Sequence, residues 1–144
     1  MLHTKGLKKV FKVLTMLIMC IFTCSVEAYP TTPPVPGSLC FASNKDFDGY
    51  RYAELISHCK RAVSSSRKDK ICKRDGVWPR TEDYTVDHII PLALGGSNKD
   101  DNLWCQHKSL NVTRQEFQEY VKLKNGETTQ IKAILTILSL KFKE

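Results

Sequence analysis

Two adjacent side chains, Asp87 and His88, open an ordered series that continues through Pro91, Gly95-Gly96, Asn102 and Asn111. An imidazole exchanges protons near its unperturbed pKa of about 6.5, which suits a general base at neutral pH. A carboxylate beside it is a hard oxygen donor for a cation, and side-chain amides can bond backbone groups or add a further oxygen. Each residue also has an ordinary reading. Asp87-His88 fits a hydrogen-bonded pair at a strand end, Gly95-Gly96 a turn, Asn102 a turn residue, and Asn111 a capping residue at a helix start. Singly those readings prevail, but they leave the order and spacing of the whole set unexplained.

The elements that must position these residues follow from the surrounding pattern. Tyr84-Thr85-Val86 has strand composition, Pro91 and Gly95-Gly96-Ser97-Asn98 force a loop, and Leu103-Trp104 predicts a returning strand. From Ser109, apolar Leu110, Phe117, Tyr120 and Val121 among polar residues predict a helix closed by Asn125-Gly126. A last helix is expected from about Thr128, packing Ile131, Ile134, Leu135, Leu138 and Phe142 against the core. Upstream, Tyr52, Leu55, Ile56, Cys59 and Val63 fall at helical spacing, predicting a helix with Arg51, Glu54, Lys60 and Arg61 on its polar faces. Ser64-Ser65-Ser66 interrupts it before a short helical piece with Ile71 and Cys72, and Asp75-Gly76 marks a turn ahead of Trp78-Pro79.

Residues 84 to 111 resemble the HNH endonuclease motif. The resemblance rests on Val-Asp-His-Ile-Ile-Pro-Leu-Ala-Leu-Gly-Gly-Ser-Asn, on Asn102-Leu103-Trp104, and on a third polar position at Asn111, nine residues after Asn102. It spans 28 residues, and the rest of the chain is more loosely similar to small exported bacterial members of that family. The implied fold is α+β: a ββα-metal core over residues 84 to 124, two strands and a helix, surrounded by additional helices and stabilised by disulfides.

The implied activity is hydrolysis of phosphodiester bonds in DNA, with RNA as a second candidate substrate, at low sequence specificity. Asp87, at the family's first position, would hold a divalent cation that acts as Lewis acid on the scissile phosphate and steadies the departing oxygen. His88, at the second, would take a proton from the attacking water. Asn102 would bond backbone across the loop and fix that base. Asn111 would complete the metal site from the helix, with His107 as an alternative nitrogen ligand or a phosphate contact. Oxygen donors favour Mg²⁺ or Mn²⁺ over Zn²⁺ or Ni²⁺. Asn111-Val112-Thr113 is also a glycosylation sequon, and a glycan there would destroy the ligand, which favours a bacterial host.

Composition agrees with one small domain. The chain has 144 residues, 42% of them hydrophobic, with 22 Lys and Arg against 15 Asp and Glu, which excludes both a multidomain machine and a disordered tail. Residues 59 to 80 concentrate Lys60, Arg61, Arg67, Lys68, Lys70, Lys73, Arg74 and Arg80 against Asp69 and Asp75. Such a band suits a polyanion, although a solvated helical face has the same composition. Lys60, Arg61, Arg67, Lys68, Lys73 and Arg74, with Lys108 and Arg114, are the candidate phosphate contacts, giving affinity without sequence information.

Residues 1 to 28 read as a secretory signal. Lys5, Lys8, Lys9 and Lys12 precede a 12-residue apolar or weakly polar run from Val13 to Cys24, and Val26-Glu27-Ala28 supplies small residues for cleavage. Pro30 to Gly37 should then form an extended leader over residues 29 to 39, with a single domain over residues 40 to 144. Four cysteines remain after cleavage, with no C-x-x-C, so two disulfides are expected. Three pairings are open; Cys40 with Cys59 and Cys72 with Cys105 requires no nested or crossed loops. The expected protein is a secreted or periplasmic monomer, without stable membrane association once processed. The alternatives are a non-catalytic exported nucleic-acid-binding module and a bacteriocin-like toxin nuclease.

Overall fold

A computed structural model describes residues 29 to 143. The signal segment expected over residues 1 to 28 lies outside the described residues. Among the described residues the architecture is α+β, with two antiparallel hairpins and three α-helices. In chain order these are β1 (Phe47–Arg51), β2 (Ile56–Cys59), α1 (Ser65–Arg74), β3 (Tyr84–His88), β4 (Leu103–His107), α2 (Thr113–Lys124) and α3 (Gln130–Lys141). No described helix is long and apolar enough to cross a membrane.

β3 and β4 pair without a bulge, from Tyr84 opposite His107 to His88 opposite Leu103. Val86, Leu103 and Cys105 share one face of this ribbon, since alternate residues point the same way. That face packs on Ile71, Cys72 and Val77 to make one core cluster. The Cys72–Cys105 disulfide ties α1 to β4 within it. α1 is capped by Ser64, whose hydroxyl accepts from Arg67 N, and ends with Lys73 and Arg74 in the last turn, where cations suit the helix dipole. A second cluster joins Ile56, Ile90, Leu94, Leu123, Ala133 and Ile137, bringing the first hairpin, the β3–β4 loop, α2 and α3 together.

The helix expected through Tyr52, Leu55, Ile56, Cys59 and Val63 is not formed: these residues lie in a hairpin turn, in β2 and in the segment beyond it. Tyr52 and Leu55 take positive φ values of 64° and 54°, which no continuous helix contains. β2 instead pairs with β1, and Cys59 is fastened to Cys40. Short apolar spacings fit helix and strand alike, and here aromatic and β-branched residues pair as strands. Lys60 and Arg61 therefore follow a strand; they are not on a helix.

Two helices also differ in detail from their expected form. α2 begins at Thr113 rather than Ser109, because Lys108–Leu110 form a separate single turn. In α3 the buried face is Ala133, Ile137 and Lys141, while Ile131 and Leu135 are exposed. The helix is thus rotated from its most hydrophobic stripe, and a lysine stands on its core side.

The leader holds no helix, and its last residues brace the domain. Leu39 bridges to Gly96, Cys40 N donates to Gly95 O at 2.8 Å, and Ser38 N donates to Asn102 Oδ1 at 3.2 Å.

Candidate active site

The end of β3 opens into a cleft of about 450 Å³. His58 of β2 and Arg61 beyond it form one wall, with Asp87 and His88 at its base. Pro91, Leu92 and Ala93 supply the loop side. Thr113, Glu116, Phe117 and Tyr120 of α2 face it at spacings of three and four, as one side of a helix must.

The loop that follows β3 is built around Asn102. Its Nδ2 donates to Ile90 O at 2.9 Å and Ser97 O at 2.8 Å, and its Oδ1 accepts from Ile90 N at 2.9 Å. With the bond from Ser38, all four hydrogen-bonding positions of this buried amide are used. Gly96 completes the turn, because a Cβ there would overlap the carbonyl oxygen of Ile90.

This loop delivers Asn98 to His88. Asn98 Oδ1 lies 2.9 Å from His88 Nε2, while Asn98 Nδ2 donates to Lys60 O at 2.7 Å and to Asp46 Oδ2. Those two acceptors fix which end of the amide is oxygen, so His88 Nε2 must carry the hydrogen. The lone pair is then on Nδ1, which has no hydrogen-bond partner among the described residues, and the side chain lines the cleft. Burial pushes the imidazole pKa below 6.5, opposed by the Asn98 bond and reinforced by Arg61. A neutral, oriented imidazole facing a cleft is equipped to accept a proton.

The carboxylates beside it share an ammonium. Lys141 Nζ lies 2.9 Å from Asp87 Oδ2 and 2.7 Å from Glu116 Oε1, and its side chain is 1% exposed. It also donates to His88 O at 2.6 Å and Ile89 O at 3.1 Å. An ammonium has three hydrogens, and Asp87 with the two carbonyls takes them all. Glu116 Oε1 is therefore a close charge without a hydrogen bond. Burial pushes the Glu116 pKa above 4.5, with the Lys141 charge acting against it.

The other residues expected to hold a metal ion are not brought to Asp87. Asn111 is exposed, and its Oδ1 accepts from Thr113 N at 2.7 Å and from Thr113 Oγ1, the geometry of a local turn before α2. His107 pairs with Tyr84 and Asp87 with Trp104, so the two are three positions apart along the ribbon and on opposite faces. His107 Nδ1 bonds Ser109 instead. Among the described residues, no three His, Cys, Asp or Glu side chains are grouped to hold a metal ion. With Asn111 and His107 elsewhere and both cleft carboxylates on Lys141, this donor set does not fit a divalent cation.

The basic residues fall into two groups. Arg61 lines the cleft, and Lys60, Lys73, Lys108 and Arg114 are exposed. Lys73 Nζ lies 5.9 Å from the centre of the Trp78 ring, and Lys68 is half-buried. Arg67 and Arg74 instead fasten the fold. Arg67 donates twice to Asp100 Oδ1, at 2.8 and 2.6 Å, and holds the Asp100 pKa below its ordinary value. Arg74 binds the Asp75 carboxylate and donates to Asp100 O and Leu103 O, each at 2.7 Å.

Sequence reasoning singled out none of Asn98, Glu116, Lys141 and His58 as site residues. His58 lies in β2 and lines the cleft, and burial pushes its pKa below 6.5. Glu116 had a usable signal: it stands three residues after Thr113, on a helix face that also presents Tyr120.

Comparison of the chain with family models, with curated proteins and with solved structures returned no match in any of the three.

Proposed function

We propose that the cleft at the end of β3 hydrolyses phosphodiester bonds of nucleic acid, as the HNH-like motif implies. DNA is the expected substrate. The observation that carries this reading is the His88 imidazole, tethered through Nε2 to Asn98 with Nδ1 open beside Asp87 and Arg61. In the proposed step, His88 Nδ1 takes a proton from water and the water oxygen bonds to phosphorus. The bond from phosphorus to the leaving oxygen then breaks. Solvent water protonates that oxygen to a hydroxyl, the hydroxide so formed is neutralised by the proton that His88 then gives up, and the other product is a phosphomonoester. Arg61 offsets charge on the phosphate, since a guanidinium is matched to its oxygens. The exposed Lys60, Lys108 and Arg114 give non-specific backbone affinity.

Two disulfides suit an oxidising compartment, so we place this activity outside the cytosol, in the periplasm or medium of a bacterium. Incubating the processed chain with supercoiled plasmid tests the reading. Nicking that disappears in His88→Ala supports it. DNA binding without nicking, under every ionic condition, overturns it and leaves a binding module.

A further inference from the structure

We propose that Lys141 is the resident cation of the cleft: its ammonium fills the place between Asp87 and Glu116 that a divalent metal ion would take, and the site works without one. This rests on the hydrolase reading for its catalytic part and on geometry alone for its cation part.

The shell around Lys141 Nζ is made of oxygen only. It comprises one oxygen each from Asp87 and Glu116 and the carbonyls of His88 and Ile89, all within 3.1 Å. Four hard oxygens, two of them anionic, are the donor type that selects Mg²⁺ or Ca²⁺. Here the cation is covalently part of the chain. Lys141 reaches its place because α3 turns Ala133, Ile137 and Lys141 inward.

A buried ammonium costs several kcal/mol in lost hydration unless it is matched by charge and hydrogen bonds. Lys141 has two carboxylates and three hydrogen bonds, so the arrangement is complete. A divalent ion entering beside it would meet a like charge at close range and compete for the same oxygens. It could bind only by expelling Lys141 from a core position.

Lys141 does not touch substrate, being sealed from solvent. It is a positioning residue, and it acts through Asp87 and through the carbonyl of His88. By holding that carbonyl it fixes the strand end from which the imidazole projects.

The experiment is a calorimetric titration of the processed chain with MgCl₂ and with MnCl₂, paired with thermal unfolding in EDTA and in each salt. The wild type should show no binding and no shift in midpoint. Lys141→Met should unfold at lower temperature in EDTA and regain several degrees in Mg²⁺ or Mn²⁺, because the emptied oxygen shell then accepts an ion. One ion bound by the wild type, and lost in Asp87→Asn, overturns the proposal. So does a folded Lys141→Met protein indifferent to both salts. Where Lys141→Met does not fold, the wild-type titration decides. The plasmid assay separates this inference from the hydrolase reading. Nicking in EDTA supports both, and nicking only with an added divalent ion overturns the resident cation alone. No nicking under any condition defeats the hydrolase, while the titration still judges the cation.

Discussion

Asn98 presents its amide oxygen to His88 Nε2 at 2.9 Å, and the same amide's nitrogen is held by Lys60 O and Asp46. One buried side chain thus joins the end of β3 to both flanks of the first hairpin, and it sets the tautomer of the imidazole. Asn98→Ala should leave several buried polar groups unpaired and cost about 1–3 kcal/mol, measurable by urea unfolding. Nicking should fall with it, while loss of stability without loss of nicking would separate Asn98 from the chemistry.

His88→Ala should lower the nicking rate by about 10²–10⁴-fold, the usual contribution of a positioned general base. Circular dichroism of the variant checks that the fold persists. Retained activity in a folded variant would require another base.

The His88 pKa is depressed in the folded chain, so the unfolded chain binds a proton more readily in the window between that pKa and about 6.5. Stability attributable to His88 is therefore full above about 6.5, declines as pH falls through that window, and levels off below the folded pKa. Unfolding free energies of wild type and His88→Gln across pH 8 to 4 measure this. The wild type should lose more on acidification than the variant, and parallel curves would show that the imidazole is not buried in its neutral form.

Arg61 and Arg67 should behave differently although both belong to the basic band. Arg61→Ala should weaken DNA binding and reduce the slope of log affinity against log salt by about 1. Arg67→Ala should leave that slope unchanged, because its guanidinium is engaged by Asp100. Fluorescence titrations over a salt series distinguish them.

Removing the bond between α1 and β4 with Cys72→Ser and Cys105→Ser should cost about 2–5 kcal/mol, typical for a small disulfide-bonded domain. A shift in the thermal midpoint reads this directly. A negligible shift would mean that the Ile71, Val77, Val86 and Leu103 cluster holds these elements unaided.

Much around residues 84 to 107 was legible because its signals are local. Strand composition, Pro91 and the Gly95-Gly96 pair determine a ribbon and a tight loop, and each disulfide joins cysteines that are consecutive along residues 29 to 143. The first hairpin was not legible, since five apolar residues at helical spacing fit a helix as well as a turn and a strand. Lys141 was hidden for a related reason. A lysine is read as solvated unless an anion waits for it, and Asp87 and Glu116 lie 54 and 25 positions away in sequence. Asn111 satisfied the expected spacing, yet its oxygen caps the local turn at Thr113, because a contact two residues away costs less chain entropy than a distant one.

The contacts of Ser38 and Leu39 move the practical boundary of the folded unit upstream of its first cysteine. A fragment trimmed to begin at Cys40 would forfeit the amide that completes Asn102 and the bridge to Gly96, slackening the very loop that presents Asn98. Shortened versions made for crystallisation or labelling should therefore retain Gly37 onward.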